Sequence, residues 1–407
     1  MEVRYNMGSS RKCFLFLIIT LLSFFGQSAS VRADAPPAEA ASAAAKPDPD
    51  DINFFKDIEV HGFVSSSYFN HLNADPSDTV SRRTNFRAFD FSHNSFKFDV
   101  GILSLKKDAA KPGDIGFRTD IAYGFSVPQI SKSAPGLVTT TGAQITSDNF
   151  DVIQGYVSYN APIGNGLRMD LGKFVTNIGV EVIPGPDGWN NHYSSSWLFT
   201  YGPYTHSGLR GVYTFNEKIS VLGMVANGWD NTVDTNNGKT LSTGITYTPL
   251  SNVSLTFNWM GGPEPQVNNP SNERNSRNLF DFIGTIGLTD KLRLTINADS
   301  GRDANNSAIT PGQNADWWMF VGYLRYDANK WFSMNFRGET FDDTDGYRTG
   351  IRQHLWEVTF TPEFRVNKHF VLRPEFRHDK SNVMAFGGPA QMKDTQDTFA
   401  VNALFFF

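Results

Sequence analysis

Charged side chains recur two residues apart along this chain. Lys97 precedes Asp99, Arg118 precedes Asp120, Arg168 precedes Asp170 and Arg337 precedes Glu339. Glu363 precedes Arg365, and Arg373, Glu375 and Arg377 form a run of three. Arg210, Asp281, Arg293, Asp299 and Arg325 stand singly in similar polar positions. On an extended strand, a spacing of two places side chains on one face. The chemistry open to such a face is electrostatic. Its members can pair with one another and be solvated, or they can present charge to water. The set holds ten basic and eight acidic residues, so the sign of any preference is open.

Catalysis has little support. His192 lies close to Ser194, Ser195 and Ser196, but no G-x-S-x-G elbow is present. The acidic stretch "DDTDG" at 342–346 fails as a calcium loop. An EF-hand needs an acid at its first position, here Phe341, and Glu at its twelfth, here Arg352. His61, His93, His206 and His378 are scattered, so no metal and no cofactor is expected. Cys13 is the single cysteine, which excludes disulfides and thiolate sites from the remainder.

Cys13 belongs to the apolar run "CFLFLIITLLSFF" at 13–25, which follows Arg4, Arg11 and Lys12 and precedes "GQSASVRADA". This is the pattern of a secretory signal peptide, read here as residues 1–33 with cleavage after Ala33, or else after Ser30. The run is short for a spanning helix of roughly 20 residues. Residues 34–52, rich in Ala and Pro, read as a disordered linker. Beyond the signal, 32 basic residues face 40 acidic ones, which argues against nucleic acid as a partner.

Residues 53–407 must supply the elements that position the charges. Strict alternation marks strands: in "WFSMNFRGET", Phe332, Met334 and Phe336 oppose Ser333, Asn335, Arg337 and Glu339. About sixteen strands (14 to 18) are expected: 57–70, 94–105, 114–126, 150–160, 166–178, 205–216, 218–229, 240–249, 252–260, 278–288, 291–300, 316–327, 331–341, 355–366, 368–379 and 396–407. In strands 1, 7 and 12 both faces are mixed, so their register is open. Every second connection is tight, such as "NE" at 216–217 and "NK" at 367–368. The others are long and polar: about 71–93, 127–149, 179–204, 230–239, 261–277, 301–315, 342–354 and 380–395. This rhythm predicts an all-β, antiparallel, up-and-down transmembrane β-barrel with short periplasmic turns and long outer loops. Closure leaves no unpaired edge in lipid. Apolar positions then face outer-membrane lipid and the charged face lines the lumen.

The chain ends "DTFAVNALFFF". On a last strand, Phe399, Val401, Ala403, Phe405 and Phe407 share the lipid face, with Phe407 at the periplasmic interface. A lumen of sixteen strands is wide enough for water, and rings of charge across it set ion preference.

The segments "YGPYTHSGLRGVYTF", "MVANGWD", "RGETFDDTDGYRTG", "VLRPEFRHDKS" and "DTFAVNALFFF" resemble the OmpL-like family of outer-membrane β-barrel porins, from about Val60 to the end. The resemblance implies a pore in the outer membrane of a Gram-negative-type bacterium, but no particular solute. The place of the third long loop resembles that of the loop that folds inward in sixteen-stranded general porins, which implies that Trp189, Asn190, His192, Tyr193 and Trp197 line a constriction. A terminal Phe407 is similar to the signal read by the barrel assembly machinery. A homo-oligomer is a further expectation. No plug domain fits within residues 34–56. The expected function is passive diffusion of small hydrophilic solutes or ions, not catalysis. The alternative is a non-conducting barrel whose loops act as adhesin or receptor, with a soluble periplasmic β-protein as a remoter third reading.

Overall fold

The computed structural model describes residues 57–74, 83–131, 149–264, 266, 273–307, 310, 312–388 and 391–407. The expected signal segment and linker lie outside them. Sixteen antiparallel strands close into one barrel. They are β1 Glu59–His71, β2 Ser95–Lys107, β3 Ile115–Tyr123, β4 Phe150–Ala161, β5 Leu167–Val175, β6 Thr205–Asn216, β7 Ile219–Ala226 and β8 Thr240–Leu250. Then come β9 Val253–Pro263, β10 Ser276–Gly287, β11 Leu292–Asp303, β12 Ala315–Asn329, β13 Phe332–Asp343, β14 Gln353–Asn367 and β15 Phe370–Ser381. A small hairpin, β16 Phe386–Gly388 and β17 Gln391–Lys393, decorates the last long loop. β18 Thr395–Phe406 pairs with both β15 and β1 and closes the wall.

The tight connections have a local cause. Asn216 accepts the backbone N–H groups of Lys218 and Ile219 through Oδ1, at 2.9 and 3.0 Å. Asn329 does the same for Trp331 and Phe332, and Asn367 for His369. Each side chain mimics a turn's own hydrogen bond and fixes a short reversal. β3 and β5 stop short of their expected ends. The chain leaves the wall at Gly124, whose φ is 144°, and at Thr176, which donates its N–H to Tyr204 O.

Alternation sorts the two faces. Phe336 and Phe376 point outward and are exposed, with Phe360 half-buried beside them, whereas Asn335, Arg337 and Thr361 point inward and are buried. The strands with open register resolve because their inner faces meet other parts of the chain. β12 turns Trp317, Met319, Val321 and Tyr323 inward, all buried, while Trp318, Phe320 and Leu324 face out. β1 turns Phe63 and Phe69 inward. A pairing irregularity between β1 and β2 places Asp99 opposite no single partner. Its carboxylate then reaches inward to accept from Ser65 and Ser67.

Closure explains the aromatic end. Gly62 and Phe407 exchange both backbone hydrogen bonds at 3.0 Å. A Cβ on Gly62 would fall 2.2 Å from the Phe407 ring, so glycine lets that ring lie against β1 as it does. Phe405 and Phe407 are exposed on the outer face, and Phe406 turns inward.

Candidate functional site: a loop folded onto the inner wall

Residues 176–204, the connection between β5 and β6, lie inside the barrel and bond to side chains of its inner face. This segment is called L3 below. Its root hangs from two carboxamides. Asn258 exchanges hydrogen bonds with Asn177, and Asn297 accepts the Val180 N–H at 2.8 Å. Asp281 orients both, accepting from Asn258 Nδ2 at 2.7 Å and Asn297 Nδ2 at 2.6 Å.

The wall catches the rest of L3 by its backbone. Glu375 accepts the N–H groups of Tyr193 and Ser194 at 2.6 and 2.9 Å. Glu339 accepts those of Trp197 and Leu198, both at 2.7 Å. These two begin a short helix, Trp197–Tyr201, whose first turn is capped by the Ser196 side chain. Helix starts present unpaired N–H groups, and a carboxylate satisfies them. Arginines supply the complementary grip. Arg337 donates to Ser194 O and Arg377 to Ser195 O, each at 2.6 Å, and Arg373 donates to Asn190 O. Charges spaced two residues apart along β13 and β15 therefore hold a loop.

They also neutralise one another. Arg337 bonds Glu357 at 2.7 Å and Glu181 at 3.2 Å; Arg377 bonds Asp379 at 2.6 Å; Arg325 bonds Glu363 at 2.9 Å. Arg87, from the first long loop, completes this layer by reaching Asp379 and Asp90. Burial together with Arg337, Arg373, Arg377 and Arg325 holds His192 well below its usual pKa. Its Nδ1 lies 2.7 Å from Thr361 Oγ1.

The tip of L3 turns tightly, with Gly185 and Gly188 paired through their backbones. Asp187 then reaches Lys106 at 3.2 Å and forms an ion pair with Arg118. Trp189 packs on Phe63 and Phe406, and Asn190 exchanges hydrogen bonds with Val182.

Sequence-expected site residues thus fall into two groups. Lys97, Asp99, Asp299, Arg337, Glu339, Glu363, Arg373, Glu375 and Arg377 are buried beneath loop segments and do not face water. Lys97 lies over the rings of Phe69, Phe125 and Tyr193. His192 and Trp197 are buried between L3 and the wall, with Tyr193 partly so. They add bulk to L3 rather than surface.

The second group lies along β3, β5 and β6, where Arg118, Arg168 and Arg210 keep side-chain exposures of 17%, 35% and 16%. Their acids lie beneath them: Asp120 at 6% and Asp170 at 3%. Ser104 and Gln154 hold Asp120, and Ser158 holds Asp170. Arg293 and Arg365 are exposed at the turn end. Glu357 and Asp379, absent from the charges singled out in the sequence, sit at alternating positions on β14 and β15 that the same period of two marks. Glu181 and Arg87 lie in loops without any pattern.

Among the described residues, no group of three or more His, Cys, Asp or Glu is arranged to hold a metal. In "DDTDG", Asp343 accepts the N–H groups of Tyr347, Arg348 and Thr349, so the loop closes on itself.

No curated protein matches the chain in sequence. Solved structures match its fold. The outer-membrane channel DcaP of Acinetobacter baumannii is 11% identical, covering 86% of this chain and 97% of its own, with a TM-score of 0.55. OprB of Pseudomonas putida is 11% identical over 88% and 96%, at 0.57. An anion-selective porin from Comamonas acidovorans is 10% identical over 86% and 99%, at 0.55. The model of one family, beta-barrel porin-2, OmpL-like, matches residues 57–407, and the chain belongs to that family.

Proposed function

We propose that this protein is a passive diffusion channel of the outer membrane for small hydrophilic solutes, narrowed by L3. One observation carries the reading. L3 grips the inner face of β10–β15 and reaches β3 only at its tip, through Asp187 and Arg118, while Arg168 and Arg210 on the inner face of β5 and β6 stay part-exposed. Solutes then pass between L3 and the β5–β6 wall. The constriction is made by the bulk of L3, with Trp189 and Asn190 near its tip. Export by a cleaved signal at 1–33, insertion by the barrel assembly machinery through Phe407, and assembly into a homo-oligomer in lipid belong to the same reading.

The sealed layer around Arg337, Glu357 and Arg377 favours a rival, a non-conducting barrel that displays its loops as adhesin or receptor. Liposome swelling separates the two. Vesicles holding the folded protein should admit a small sugar quickly and progressively larger ones more slowly. Swelling no faster than in empty vesicles, for every sugar, would support the rival.

A further inference from the structure

The two sides of the inner wall handle charge differently. Under L3, bases and acids are buried together. On β5 and β6 the bases stand above the acids. Arg168 Nε lies 3.1 Å from Asp170 Oδ1, and Arg210 Nη2 lies 2.8 Å from Asp170 Oδ2. Two guanidiniums therefore share one carboxylate, and that carboxylate is the buried member.

Neighbouring acids leave this imbalance in place. Asp120 is matched by Arg118, which also takes Asp187 of L3, and Lys106 is matched by Asp187 and Glu59. Asp108 approaches Arg168 only at 3.9 Å and is itself well exposed. An exposed pair at that distance contributes little.

Arg210 is fixed in place. Its guanidinium lies 4.4 Å from the Phe174 ring and 5.9 Å from the Tyr156 ring, and donates to Val175 O. Gly172 and Gly208, paired across β5 and β6 on the same inner face, carry no side chains that would screen it. Arg168 is the freer of the two, with a single short bond to Asp170 and a 3.4 Å contact to Ser158 Oγ.

On the premise that the barrel conducts, we infer that Arg168 and Arg210 over Asp170 are the specificity-determining charges and that the channel prefers small anions. Two unit charges near a protein surface attract or repel more strongly than in bulk water, but water in the lumen still weakens them. The preference is therefore modest, and it fades as salt shortens the Debye length from about 10 Å at 0.1 M.

The test is the zero-current potential of single channels across a low-salt potassium chloride gradient, for wild type, Arg168→Gln and Asp170→Asn. Wild type should reverse on the chloride side of zero. Arg168→Gln should shift toward zero, and Asp170→Asn should shift further toward chloride. Opposite shifts separate a charge effect from a merely structural one, which would move both variants alike. Cation preference in wild type, or shifts in a common direction, overturns the inference and leaves the channel reading intact. A folded wild-type barrel without current steps overturns both.

Discussion

The ring of Trp189, near the tip of L3, lies 4.5 Å from that of Phe406, the penultimate residue. An inner loop thus rests on the strand that closes the barrel. Phe63 of β1 completes the contact. Trp189→Ala should free the tip without opening the wall, because the Gly62–Phe407 backbone pairing remains. Single-channel records should show larger and noisier open currents, with the temperature of heat-induced gel mobility shift nearly unchanged.

Asp281 supports L3 indirectly, through Asn258 and Asn297. Asp281→Ala takes one acceptor from each amide, leaving Asn258 Nδ2 with Asn177 O and Asn297 Nδ2 with Phe282 O, and each buried N–H left unpaired costs about 1–3 kcal/mol. The folded variant should lose mobility-shift temperature, and cysteines placed in L3 should become more reactive to a water-soluble thiol reagent. Labelling no faster than in the parent protein would contradict this role.

Acid should release the tip. Burial raises the Asp187 carboxyl, but Arg118 and Lys106 outweigh it and hold it below the usual range. A depressed carboxyl contributes its stability fully above the unfolded pKa, near 3.9, and loses it as pH falls through the lower folded value. Conductance should stay level from neutral pH to about 4, then rise on further acidification. Asp187→Asn should conduct more at neutral pH and lack the acid rise. An identical acid profile in the variant would refute the tether.

At the loop end, Arg348 is half-buried, packs among Tyr201, Trp229, Trp317 and Tyr347 and donates to Tyr201 O. Arg348→Ala removes a charged hydrogen bond worth about 1.5–3 kcal/mol, together with ring contacts. The mobility-shift temperature should fall while the zero-current potential stays the same, since Arg348 lies away from Arg168 and Arg210.

The strands were legible because lipid outside and polar side chains inside impose a period of two, and Asn-containing turns punctuate it. The charged face was legible for the same reason. What those charges touch was not. Glu339 and Glu375 look like wall residues in any alternating strand; only the return of L3 into the barrel makes them acceptors for Trp197 and Tyr193. Alternation also fails in β12, where Met319 and Val321 replace polar residues because loop, not water, covers them. Whether a charge faces water depends on contacts distant in sequence, so Arg168 and Arg377 look alike in the text and differ in the fold.

The most direct test of the channel account is conductance of the purified, heat-modifiable barrel in a planar bilayer. The account predicts stepwise, ohmic openings of uniform size that grow when the tip of L3 is freed by Trp189→Ala. A correctly folded barrel that inserts but gives no steps, with or without that substitution, would contradict it.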